Sequence, residues 1–252
     1  MQLIIELTIP ILIGIFLGLL GGGGTTLAVP ALVFIFGFET KIAIAISLFV
    51  VGVSSLLTSI VHFYKKNIRL LCTLVFGGFG SLGSFLSAKF IAPQLSDDLQ
   101  LLLFAVLILM VAVLMFNSKK HHTSLFADLV LTQKCILSSI SGITIGVITG
   151  IIGVGGGFLI VPALIYLMNL TMIEAVANSL LIIALQSLSA YLAYAQYLDI
   201  PIDFALKFTI LVIPGSFLGT FVAVKVKQDL LKKIFAILLF IMASFIIVQK
   251  FS

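Results

Sequence analysis

Ten apolar runs take up almost all of this 252-residue chain, at about 3–20, 25–37, 42–63, 70–91, 99–116, 136–152, 158–168, 174–197, 203–224 and 230–249. About 20 helical residues cross the hydrocarbon layer of a bilayer. Most runs approach or exceed that length, but 25–37 and 158–168 are roughly half of it, and each follows a cluster of glycines. Hydrophobic residues make up 62% of the chain and charged residues only 9%, against about 25% charged in an average soluble domain. Such a chain cannot keep a wetted shell around one core, which excludes a soluble globular enzyme, a disordered protein and a disulfide scaffold. In lipid every backbone polar group needs a partner within the protein, so the runs read as helices. The expected fold class is an all-α polytopic membrane protein with about eight to ten membrane segments, placed as a multi-pass protein of the cell (inner) membrane.

The stretch from Asn117 to Lys134 is the most polar of the chain, and the halves on either side repeat each other. Gly18–Leu32 aligns without a gap on Gly150–Leu164, with nine of fifteen positions identical at a constant offset of 132. The same register pairs Ala43 with Ala175, Ala45 with Ala177, Ser47 with Ser179 and Leu48 with Leu180; after a shift of four, Leu82-Gly83 matches Leu218-Gly219. The chain is a duplication, organised as a first transmembrane repeat (1–117), a polar connecting loop (118–134) and a second transmembrane repeat (135–252).

Basic residues decide the relative direction of the halves. If each glycine-broken pair of runs makes no net crossing, as a re-entrant hairpin would, each half crosses an odd number of times and the repeats are inverted. One side of the membrane then collects Lys65, Lys66, Arg69, Lys119, Lys120, Lys134, Lys225, Lys227, Lys232 and Lys233, and the other only Lys41, Lys89, Lys207 and Lys250. Parallel repeats would divide the basic residues about evenly. The excess of Lys and Arg on cytoplasmic loops favours two inverted structural repeats, each with a Gly-broken half-helix or re-entrant segment plus about three spanning helices, and both termini outside. No basic segment precedes the first run, so it is expected to stay as a membrane segment rather than to be removed as a signal peptide.

Ten of the 21 glycines lie in 18–24 and 150–157. Small residues often serve only to let helices pack closely. Three or four in succession are more than a packing notch needs and should break the helix, and the break recurs at the same place in both halves. Half-helix ends at corresponding positions of two repeats mark transporter sites near the bilayer midplane. Helices starting near Thr25 and Phe158 would present unpaired N–H groups and a positive dipole end, which favour an anion. The substrate-binding residues expected on this basis are Gly23, Gly24, Thr25, Thr26, Ser47, Gly155, Gly156, Gly157, Asn178 and Gln186, with Ser54 and Ser179 nearby. Asn178 and Gln186 have a plain alternative in hydrogen bonding between helices.

Other chemistries leave no mark. No Gly-Lys-Thr/Ser follows the glycines, so no nucleotide loop is expected. Cys72 and Cys135 have no metal or redox spacing. His62, His121 and His122 are expected at solvated or interfacial positions. The chain shows no catalytic dyad at membrane depth, and Glu6 is the one carboxylate well inside an apolar run; no catalytic residue, metal or cofactor is expected. The expected partners are a small anion and the lipid bilayer, with a homo-oligomer left open and nucleic acid not expected.

With a glycine cluster followed by Val-Pro-Ala-Leu once per half, at Gly21–Leu32 and Gly153–Leu164, the chain resembles the TauE/SafE sulfite exporter family of bacterial membrane transporters. Chain length and the two-half layout fit as well. The resemblance implies a secondary transporter exporting a small sulfur-containing anion such as sulfite, sulfoacetate or a related organosulfonate. One departure is Thr25, where the second half has Gly157, which would make the two sides of a site unequal. An anion channel and a membrane accessory subunit without transport of its own are the alternatives. Efflux of an anion needs no coupling carboxylate, because an interior at about −100 mV drives each negative charge outward with about 2.3 kcal/mol.

Overall fold

The computed structural model describes residues 2–64, 68–116, 131–153, 155–168 and 170–251. Lys65, Lys66, Lys119, Lys120, His121, His122 and the connecting loop as far as residue 130 lie outside the described residues. Ten α-helices make up the fold among those described: α1 (Gln2–Leu20), α2 (Gly23–Phe34), α3 (Thr40–Tyr64), α4 (Leu70–Phe90), α5 (Asp97–Phe116), α6 (Leu131–Ile152), α7 (Gly157–Met168), α8 (Met172–Tyr194), α9 (Ile202–Ala223) and α10 (Gln228–Phe251). A short 3-10 turn, Ala92–Gln94, follows α4. Seven helices, α3 to α6 and α8 to α10, are long and apolar enough to cross a membrane. At 12 residues each, α2 and α7 reach only about 18 Å. The large apolar side chains left exposed, among them Leu82, Phe116, Ile210, Phe240 and Val248, coat the lipid-facing surface of a multi-pass membrane protein.

Both glycine breaks form hairpins. A Cβ on Gly24 would press on Leu17 and the Ile13 carbonyl. Farther from the tip, Ile9 and Ile13 of α1 and Leu27, Ala31 and Ile35 of α2 line one cavity. Near the hairpin's open end, Glu6 and Phe36 line another with Phe204 and Lys207 of α9. So α2 returns to the end from which α1 set out. In the second hairpin, the last turn of α6 sits at the start of α5, where Gln100 Nε2 donates to the Ile151 carbonyl at 2.6 Å. The α7 helix comes back to the far end of α5, where Tyr166 meets Met115 at 3.5 Å. The start of α5 is also the start of α3, since Lys41 Nζ lies 3.6 Å from Asp97 Oδ1. The two hairpins therefore enter the bundle from opposite ends.

The halves interlock. Helix α1 lies along α9, and α6 along α4; α3 packs on α8, α5 on α10, and α2 touches α7. Exchanging the halves turns this pairing scheme into itself. Glycines make the two swapped pairs close. A Cβ on Gly14 would strike the Val212 carbonyl and one on Gly219 the Ile15 carbonyl; between α6 and α4, Gly142 meets the Phe76 carbonyl and Gly146 that of Gly80. Such backbone-on-backbone contact is how helices gain packing energy in lipid, where there is no hydrophobic drive.

Local details shift some boundaries. The α2 helix starts at Gly23 and α7 at Gly157, ahead of the starts expected near Thr25 and Phe158. The α6 helix reaches back to Leu131, so the last four residues of the expected connecting loop are helical. The start of α8 carries a capping box, in which Thr171 N–H donates to Glu174 Oε2 at 2.9 Å and Glu174 N–H to Thr171 Oγ1 at 3.3 Å. Two glycines of α4 and α6 test the packing account. Gly146→Ala should lower the melting temperature in detergent by an amount corresponding to about 1–3 kcal/mol of overpacking. Gly78→Ala faces open space and should be neutral or stabilising by up to about 1 kcal/mol.

Candidate functional site

The tips of the two hairpins meet inside the bundle. Gly21 and its repeat equivalent Gly153 both have left-handed backbone, φ 67° and 73°, which glycine adopts without strain. They turn the chain at each tip. Beyond them the loops differ. The first passes into α2 after Gly22, whereas the second keeps Gly155 and Gly156 at φ 39° and 68° before α7 begins. A Cβ on Gly22 would collide with the Gly157 backbone, and one on Gly157 would come within 2.8 Å of Ile183, the central residue of the 23-residue α8. Across the junction, Thr25 Cγ2 would lie 3.2 Å from a Cβ on Gly155. From this meeting point α2 runs to one end of the bundle and α7 to the other.

Two helix N-termini thus face one another at mid-depth. Each carries first-turn N–H groups without intrahelical partners and the positive end of a helix dipole. Gly22, before α2, supplies no side-chain cap. The Thr25 and Thr26 hydroxyls donate backwards, to the carbonyls of Gly22 at 2.7 Å and Gly23 at 2.8 Å, leaving their lone pairs free to accept. Among the described residues, no group of three or more His, Cys, Asp or Glu side chains could hold a metal ion.

The structure brings Gly23, Gly24, Thr25, Thr26, Gly155, Gly156 and Gly157 to this junction. Gly24 also carries packing within the first hairpin. Ser47 lies on the face of α3 defined by Ile44, which meets Gly153, and Val51, which meets Gly155. Gln186 joins indirectly: Thr149 Oγ1 is 3.4 Å from Gln186 Oε1, and the Thr149 methyl packs where a Cβ on Gly156 would sit. All ten expected site residues are buried. Asn178 sits elsewhere, two turns toward the start of α8. Its Oδ1 accepts from the Arg69 N–H at 2.9 Å and from the Thr73 hydroxyl, and its Nδ2 donates to the Glu174 carbonyl at 2.6 Å. With the Arg69–Glu174 ion pair at 3.2 Å, it ties the start of α4 to α8. His62, expected at a solvated or interfacial position, is 1% exposed, on the inward face of a last turn of α3 whose Phe63 and Tyr64 are exposed. Sequence reasoning passed over Thr149 and Ser187. Ser187 lies 2.8 Å from a Cβ on Gly155, and its repeat register with Ser55 was the available signal.

A helix tie and an anion contact respond differently to truncation. Asn178→Ala takes the acceptor from the part-buried Arg69 N–H and leaves the Thr73 hydroxyl only the Arg69 carbonyl at 2.9 Å, and should cost about 1–3 kcal/mol of stability. Thr73→Ala should cost less. Neither should change substrate affinity in protein that remains folded, measured by ligand titration beside thermal melts.

Comparison with known proteins places the chain among membrane transporters. The sulfite exporter TauE/SafE family matches residues 7–246. A probable membrane transporter protein of Xylella fastidiosa is 33% identical over 250 residues, covering 96% of this chain and 93% of its own. A probable membrane transporter protein of Methanocaldococcus jannaschii is 27% identical over 98% of this chain and 97% of its own. A third, from Bacillus subtilis, is 29% identical over 85% of this chain and 86% of its own. No solved structure matches. The chain belongs to the sulfite exporter TauE/SafE family.

Proposed function

We propose that this member of the TauE/SafE family is a secondary transporter, not an enzyme, that exports a small sulfur-containing anion such as sulfite, sulfoacetate or a related organosulfonate. The observation that carries the reading is the meeting of the α2 and α7 N-termini at Gly22 and Gly157, level with the middle of α8. Two positive dipole ends aimed at one buried point suit an anion and repel a cation. The first-turn N–H groups of Gly23–Thr26 and Gly155–Phe158 hold the substrate, with Ser47 and Gln186 at its flanks. Burial of every candidate residue favours a site exposed to one side at a time over a permanently open channel. The two halves act as inverted repeats, a reading supported by hairpins that enter from opposite ends and by a helix pairing that survives exchange of the halves.

Two measurements test this reading. In proteoliposomes, an inside-negative potential should accelerate efflux of sulfite or an alkyl sulfonate without ATP, since each charge gains about 2.3 kcal/mol per 100 mV. Dependence on a proton or sodium gradient at zero potential would reveal a coupling site instead. The basic side should be cytoplasmic. In intact cells and a background lacking Cys72 and Cys135, Lys225→Cys in the turn before α10 should resist membrane-impermeant thiol reagents. Asp199→Cys, in the loop before α9, should react.

A further inference from the structure

The faces of α3 and α8 that look onto the glycine loops carry one pattern twice. On α8, Val176 and Ser179 meet Gly21, Ile183 meets Gly157 and Ser187 meets Gly155. Steps of three, four and four residues keep all four on one helix face. The equivalents on α3, 132 positions earlier, are Ile44, Ser47, Val51 and Ser55. Ile44 meets Gly153 and Val51 meets Gly155, and the same steps put Ser47 and Ser55 on that face. All four serines are at most 1% exposed.

Buried hydroxyls in helices ordinarily donate back to a carbonyl three or four residues earlier. Thr58 does so to Ser54, Thr209 to Ala205 and Ser179 to Val176. The Ser47, Ser55 and Ser187 hydroxyls have no partner among the described residues. An unpaired hydroxyl in a dry interior is costly. These three share equivalent faces, and Ser187 Oγ is directed at the loop that opens α7, 2.8 Å from a Cβ on Gly155.

We infer that Ser55 and Ser187, with Ser47, are the side-chain donors of an oxyanion site, completing around a three-oxygen anion the set of donors begun by the two half-helix N-termini. The inference rests on the proposed substrate site at the hairpin junction. The donor set is neutral, so it selects by the number of acceptor oxygens. Sulfite and sulfonates offer three around one sulfur, whereas a carboxylate offers two.

The test is sulfite titration of the purified full-length protein in detergent, with affinity from calorimetry and melting temperature recorded without ligand. Ser55→Ala and Ser187→Ala should each weaken sulfite binding about five- to tenfold, the double variant more. Melting temperature should hold or rise, because each change removes an unpaired hydroxyl. Ser138→Ala on α6 removes another buried hydroxyl without a partner, about four turns before the second loop, and should leave affinity unchanged. Wild-type affinity in the Ser55 and Ser187 variants overturns the inference and leaves the junction standing. Lower melting temperature with unchanged affinity overturns it too, by assigning the serines to packing. If the wild-type protein binds neither sulfite nor an alkyl sulfonate saturably, the junction reading fails and the inference falls with it.

Discussion

A helix that ends inside a bilayer leaves its first N–H groups and the positive end of its dipole where no water can solvate them. Two helices of this chain, α2 and α7, begin at the same internal point, so the cost is concentrated instead of spread. The rest of the architecture works around that point. The α3 and α8 helices cross behind the junction and present serines to it. The α1 and α6 helices form the outer arms of the hairpins and hold them in place through backbone contacts with α9 and α4. On the proposed reading an anion converts this unsolvated positive region from a liability into an attraction, so the fold and the proposed chemistry point to one place.

Neither half can build the junction alone. The arm of the first hairpin packs on a helix of the second half, and the reverse holds for the second hairpin. Glycines carry both contacts, since Gly14 and Gly219 in one pair and Gly142 and Gly146 in the other leave no room for a Cβ. Polar ties are added at the periphery: Arg69, Thr73 and Asn178 fasten α4 to α8 near one end, and Lys41 fastens α3 to Asp97 at the other. The exposed ion pairs are weak in themselves. The Asn178 tie is stronger, because its buried carboxamide holds the Arg69 N–H, the Thr73 hydroxyl and the Glu174 carbonyl together.

Much of this was legible in the sequence because lipid imposes simple rules. Run lengths gave the spans, and the doubled Gly-Gly-Gly…Val-Pro-Ala-Leu motif located both broken helices to within two residues. The residual error at α2 has a local cause. Glycine alone is a poor helix former, but the Thr25 and Thr26 hydroxyls bond back to Gly22 and Gly23 and extend the helix by two residues. What one sequence hid was long-range pairing. Asn178 reads equally as a site residue or a tie between helices, and only the fold shows that Arg69 and Thr73, more than 100 positions away, bond its carbonyl oxygen. His62 reads as solvated or interfacial until the fold turns it inward while Phe63 and Tyr64 beside it stay exposed. Ser187 lay beside a residue already singled out, yet a serine in an apolar helix is unremarked until its neighbours prove unable to bond it.

The absence of symmetry within the site bears on how a substrate could leave it. The first loop enters its helix at Gly23 and contributes two threonines, while the second holds Gly155 and Gly156 in left-handed conformations and contributes bare backbone. A ligand at the junction therefore faces a hydroxyl-bearing loop from one hairpin and a bare amide loop from the other. On the proposed reading the donors are neutral N–H and O–H groups, each hydrogen bond worth about 1 kcal/mol net, supplemented by two helix dipoles. Attraction of that kind is enough to draw an anion from water but lacks the grip of a fixed lysine or arginine. Loose binding suits export. A potential of about 100 mV contributes only about 2.3 kcal/mol per charge, so a site that held its anion much more tightly than this would trap the ion that the membrane potential is meant to expel.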